Sequence, residues 1–286
     1  MRFAAYRDSA GTGLAISRDG AAFRGLRDTD PGFPGHLDTL LAMDGAAFGA
    51  ACDALSAGAP VELDAVTLLP PVGRPGKIIC VGLNYIDHSA ESGFKQPDYP
   101  TLFGRFTSSL IGHGAPLLRP TVSEQFDYEG ELVAIIGRGG RHIPRERALE
   151  HVFGYSIFND GSVRDYQFKA PQWTMGKNFD DTGPFGPVVV TADELPPGAA
   201  GLRIETRLNG AVVQSSNTDA LVFDVPTLVA IISEAITLEP GDLLVTGTPS
   251  GVGAARKPPL WMKPGDVCEV EIERIGVLRN PVADAA

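Results

Sequence analysis

Three acids recur at alternate positions in Phe126-Asp127-Tyr128-Glu129-Gly130-Glu131-Leu132-Val133. The apolar run Val133-Ala134-Ile135-Ile136 reads as a strand, and along a strand successive side chains point to opposite faces. Asp127, Glu129 and Glu131 then share one face, where three carboxylates repel one another unless water, a base or a cation neutralises them. A solvated edge and a metal site fit that pattern equally well. With no His or Cys nearby, hard oxygen ligands would favour Mg²⁺, Mn²⁺ or Ca²⁺ over zinc. A further acid, Asp160, follows the apolar run Val152 to Ile157 and falls near a strand end, where loops carry function. It would serve a metal site or, as commonly, an Asx turn with Gly161.

Other residues offer different chemistry. In Asn84-Tyr85-Ile86-Asp87-His88-Ser89-Ala90-Glu91 the imidazole and the last carboxylate are three positions apart, so one helical turn brings them together. A carboxylate beside an imidazole orients it and raises its basicity, the arrangement of a general base; an exposed polar pair is the plainer alternative. Lys177, one of six lysines, follows Gly176, but Asn178 stands where a P-loop needs Ser or Thr. Leu243 to Gly253 runs from a strand into Thr246-Gly247-Thr248-Pro249-Ser250-Gly251-Val252-Gly253. Its spacing is not that of a dinucleotide fingerprint, though its backbone N–H groups could cradle a carboxylate.

These residues need a scaffold, and 286 residues suffice for a full core. The 34 glycines and 23 prolines point to many turns and short strands. Residues 1–72 read as a small irregular unit with one helical pattern from Leu37 to Ala57. The proline-rich stretch Leu69 to Gly76 marks a boundary before a larger unit, 73–286. There, strands are expected at Ile78–Gly82, Leu132–Ile136, Val188–Val190 and Leu243–Thr246. Asn209-Gly210 predicts a hairpin within Arg203–Thr218, and Asp224 caps a helix over Val225–Ile236. The fold class is a mixed, β-rich α+β protein. A net charge of −11 argues against nucleic-acid or anionic-membrane partners. No apolar run reaches the length of a signal peptide or membrane span, so a cytoplasmic location is expected. Cys52, Cys80 and Cys268 are scattered and fit no metal or redox spacing.

In order and combination the motifs are more specific than any one of them. Asn84-Tyr85-x-x-His88-x-x-Glu91, Glu129-x-Glu131, Asn159-Asp160-x-x-x-Arg164-Asp165-x-Gln167, Gly176-Lys177-x-Phe179-Asp180 and Thr246-Gly247-Thr248-Pro249-x-Gly251-Val252-Gly253 together resemble the fumarylacetoacetate hydrolase family. That resemblance implies a β-roll in the larger domain and usually a homodimer. It implies Mg²⁺ or Mn²⁺ (Ca²⁺ as a surrogate) on Glu129, Glu131 and Asp160, with Asp127 left out. His88 and Glu91 become an acid–base dyad on a lid, and Arg164, Gln167, Lys177 and Thr248 become candidate substrate contacts. Where the family often has Phe-x-Lys-Pro, this chain has Phe103-Gly104-Arg105-Phe106. Arg105 brings a planar fork suited to a substrate carboxylate.

The expected reaction is metal-dependent hydrolysis of a carbon–carbon bond in an acylpyruvate or related 1,3-diketo acid. His88 would activate water, and Lys177 would offset the oxyanion with help from Gln167 or Thr248. The same pyruvate enolate serves oxaloacetate decarboxylation, keto–enol or double-bond isomerisation, and hydration of 2-oxo dienoates. A non-catalytic binding protein on the same scaffold is the remaining alternative; every ligand and dyad residue is nevertheless retained.

Overall fold

A computed structural model describes residues 1–87 and 98–286. His88 and Glu91 lie outside the described residues.

The molecule is sheet-rich α+β. Its largest sheet has the strand order Ala59–Pro60, Arg24–Arg27, Gly11–Ser17, Arg2–Asp8, Gly183–Thr191, Val152–Asn159, Gly130–Ile136, Leu243–Val245, Ile78–Gly82 and Thr101–Arg105. Glu131 therefore lies on a central strand, and Asp160 follows directly on its neighbour Val152–Asn159. Gly130–Ile136 is buried at every position, as a strand covered on both faces must be. A second sheet orders Ala211–Asn217, Arg203–Leu208, Val267–Ile272, Gly276–Asp284 and Leu117–Arg119. The two sheets meet closely at Gly130. A Cβ there would lie 2.2 Å from Thr206 Oγ1 and 2.9 Å from a Val270 methyl, so only glycine fits between the two acids that flank it.

Local signals explain most elements. Asn209 and Gly210 both have positive φ, as a two-residue hairpin turn requires. Asp224 accepts from Thr227 N at 2.9 Å and starts the helix Val225–Ala235, whose buried Leu228, Val229 and Ile232 face the core. The single helix expected over 37–57 is two, Leu37–Leu41 and Gly45–Ala57. Asp44 breaks it by capping the second, accepting from Ala47 N at 2.9 Å.

Residues 69–77 hold no helix or strand, in keeping with their prolines. The chain before them nonetheless continues the main sheet: Arg2 and Phe3 pair with Val190 and Val189. Phe3, Leu14 and Leu37 share a core cluster with Val133, Ile135, Phe158 and Val245.

Candidate metal centre and active-site cavity

The acids do not lie on one continuous strand. Phe126–Asp127 pairs with Ser162–Val163, and the chain then changes partner, so that Gly130–Ile136 pairs with Val152–Asn159. The change falls at Tyr128 and Glu129 and separates Asp127 from the other two acids. Register then brings Asp160 in: Gly130 faces Asn159, and Asp160 N donates to the Glu129 carbonyl at 2.8 Å. Glu129, Glu131 and Asp160 each offer a carboxylate oxygen within 4.8 Å of the others, and all three are buried.

The other charges of the site close round this trio. Lys177 Nζ lies 2.7 Å from Glu129 Oε2 and 2.6 Å from Asp160 Oδ2. Burial alone would lower the pKa of this ammonium, but Asp160 and Glu129 outweigh it and hold the pKa above the usual lysine value. Arg164 reaches Glu129 Oε1 at 2.6 Å, Asp127 Oδ2 at 2.8 Å and Gln167 Oε1 at 2.9 Å. Its Nη2 is buried with no hydrogen-bond partner among the described residues. Glu131 accepts only the Gly247 amide and no described cation, and burial, then Asp160 and Glu129, push its pKa well up. Among the described residues the buried cluster thus holds four carboxylates against three cations. A carboxylate charge left this exposed to its own kind is what a hard divalent ion would neutralise, and the all-oxygen donor set fits Mg²⁺ or Mn²⁺.

Asp127 stands apart from the trio. It accepts Gly253 N at 2.7 Å and Ala254 N at 2.9 Å as well as Arg164. Gly247, at φ +106°, turns its N–H onto Glu131. The Gly-rich loop does cradle carboxylates, but they are the protein's own. Asn84 braces the loop from behind, donating to the Thr246 carbonyl at 2.7 Å.

Arg105 corrects an expectation. Its side chain is fully buried and pairs with Asp160, and it donates to Thr182 Oγ1 at 2.9 Å and to the Gly161 carbonyl at 3.1 Å. It is absent from the cavity wall, where a substrate contact would lie, and braces Asp160 instead. Phe103 and Arg105 are two apart on the strand Thr101–Arg105 and so share a face, but Arg105, at the strand's end, is drawn to Asp160 and the Gly161 carbonyl while Phe103 lines the cavity. Arg105→Met should therefore cost about 3 kcal/mol of stability, because it breaks a buried ion pair and leaves Lys177 as the one cation on Asp160 among the described residues. Denaturant unfolding checks this, and a loss below about 1 kcal/mol would mean the pair is not buried as described.

A cavity of about 310 Å³ opens onto Glu129 and Glu131, two of the trio. Glu129, Glu131, Arg164, Gln167, Lys177 and Thr248 form its polar end. Val81, Leu83, Phe103, Phe168, Trp173 and Val252 form an apolar wall, with Phe103 and Trp173 edge to face. Sequence reasoning missed this wall, since an aromatic in a strand or loop carries no mark of facing a cavity.

The chain matches the fumarylacetoacetate (FAA) hydrolase C-terminal family over residues 77–283. It belongs to the fumarylacetoacetate hydrolase family. Among its relatives is the mitochondrial oxaloacetate tautomerase fahd2 of Xenopus laevis, 41% identical over 269 residues, which cover 93% of this chain and 84% of the relative. Two solved structures cover all of this chain and match over their own full length. One is a fumarylacetoacetate hydrolase from Exiguobacterium antarcticum, 36% identical with a TM-score of 0.84. The other is a maleylpyruvate hydrolase from Sphingobium sp. SYK-6, 30% identical with a TM-score of 0.82. This chain is thus an enzyme of the fumarylacetoacetate hydrolase family with a buried acidic triad at its centre.

Proposed function

We propose that the chain catalyses keto–enol tautomerisation of oxaloacetate or a close 2-oxo diacid, with Mg²⁺ or Mn²⁺ held by Glu129, Glu131 and Asp160. The observation that carries this reading is the relative named as an oxaloacetate tautomerase, similar over nearly the whole chain. The site's chemistry agrees with it. A bound divalent ion would supply Lewis acidity to the 2-oxo acid end of the substrate. Arg164 lines the cavity, and its guanidinium brings a positive charge to the end where a substrate carboxylate would bind. Lys177 keeps its proton on Nζ beside the trio and offsets negative charge that develops on the oxo oxygen. The proton at C3 is assigned to His88, oriented by Glu91, the dyad that the family motif supplies. Gln167 holds Arg164 in place at 2.9 Å.

Hydrolysis of an acylpyruvate is the second reading, favoured by the apolar wall of Phe103, Trp173 and Val252, which suits an acyl group better than a second carboxylate. The homodimer implied by the family belongs to the same proposal. No helix among the described residues is long and apolar enough to cross a membrane. The relative is named as mitochondrial, and a cytoplasmic location for this chain remains part of the proposal.

The test follows the ultraviolet absorbance of the oxaloacetate enol with Mn²⁺ present, alongside CO₂ release and acylpyruvate cleavage. Accelerated enol loss without CO₂ is the expected result. Acylpyruvate cleavage with the oxaloacetate enol unaffected would instead establish the hydrolase.

A further inference from the structure

Gln214 lies on the hairpin strand Ala211–Asn217, buried beside the site but outside the cavity wall. Its side-chain oxygen accepts from Gly130 N at 3.0 Å. Its nitrogen donates to Thr248 Oγ1 at 2.9 Å and to the Pro249 carbonyl at 2.8 Å. These partners fix the orientation of the amide, because a backbone N–H can only donate and a carbonyl can only accept. The Thr248 hydroxyl is fixed in its turn. It receives an N–H from Gln214, so its own proton goes to the Gly130 carbonyl, 3.0 Å away. A hydroxyl has one proton and two lone pairs, and here only a lone pair is left. Thr248 lines the cavity.

We propose that Gln214 is a positioning residue that holds Thr248 as a hydrogen-bond acceptor toward the cavity, so that the site recognises a ligand oxygen bearing a proton. The enol hydroxyl of a 2-oxo acid is such a group, and the inference rests on the enol chemistry proposed above. It reverses the expectation that Thr248 assists an oxyanion, since a hydroxyl whose proton is already committed has none to give. Gln214 also ties the backbone of Gly130, between two of the carboxylates, to the loop that holds Glu131 through Gly247. One side chain thereby sets both the acid pair and the polarity of its neighbour.

The test is calorimetry on the Mn²⁺-loaded protein with two probes at neutral pH: glycolate, whose hydroxyl donates, and oxalate, which has only acceptors. Thr248→Val should weaken glycolate about tenfold relative to oxalate, the weight of one good hydrogen bond. Thr248→Ser should keep the wild-type preference. Gln214→Met should shift the preference in the same direction as Thr248→Val, because the hydroxyl is released to rotate. If that variant does not fold, Gln214→Glu serves in its place: it keeps an acceptor for Gly130 N but has no proton for Thr248. Equal weakening of both probes by Thr248→Val, or an unchanged preference in the Gln214 variant that folds, overturns the proposal. If neither anion binds the metal-loaded wild type, the 2-oxo acid reading itself falls and takes this inference with it.

Discussion

Glu131→Gln is expected to abolish turnover while making the metal-free protein more stable. The two effects have opposite signs because they come from one property. Glu131 is buried between Glu129 and Asp160 with the Gly247 amide as its partner, and burial and those neighbours raise its pKa. Its charge therefore opposes folding at neutral pH unless a cation is present. Glutamine has the same shape and can still accept from Gly247, but it brings no charge. Removing that repulsion should raise the denaturation midpoint of the metal-free protein. On the proposed metal site, the same change would take one of three anionic ligands from the divalent ion. A fall in kcat/KM of about 10³-fold or more is expected, the scale on which loss of a central electrostatic group acts. Steady-state kinetics with saturating Mn²⁺, beside denaturant unfolding in EDTA, reads both. A variant that loses activity and stability together would show that Glu131 is a structural residue.

Lys177→Met should do the reverse to stability. The Lys177 ammonium bridges Glu129 and Asp160 at 2.7 and 2.6 Å with almost no exposure. Without it two buried carboxylates face each other, and breaking such a pair costs about 3–5 kcal/mol. Mn²⁺ should restore much of this, so the rise in Tm on adding metal should be larger for Lys177→Met than for wild type. Turnover should stay about 10²–10³-fold down even with metal bound, because the donor that faces the developing negative charge is gone. Recovery of near-wild-type kcat in saturating Mn²⁺ would remove Lys177 from the chemistry and leave it only a charge-balancing role.

The sequence made the sheet legible where apolar β-branched runs are bounded by turns, as at Ile78–Gly82 and at Val188–Val190, the end of the longer strand Gly183–Thr191. The hairpin at Asn209-Gly210 and the Asp224 cap were legible because their chemistry is local. What it hid depends on partners far along the chain. Alternation put Asp127 with Glu129 and Glu131, but the strand changes partner between them, and no local signal marks that change. Asp160 joins the acids through register with a neighbouring strand; its place near a strand end left a metal site and an Asx turn both open, and the family motif order favoured the first. Arg105 has the charge of a substrate contact, yet Asp160 draws it inward. Gln214 reads as one polar residue in a hairpin. Its role follows from where that hairpin lies against Gly130 and Pro249, 84 and 35 residues away in sequence.

The central claim is that Glu129, Glu131 and Asp160 together hold one divalent ion. It is tested most directly by diffraction from crystals grown with Mn²⁺ and measured at the manganese absorption edge. One anomalous peak, within bonding distance of an oxygen from each of the three carboxylates and with Lys177 displaced from at least one of them, is the predicted result. Full manganese occupancy elsewhere, with Lys177 still bridging Glu129 and Asp160, would contradict it.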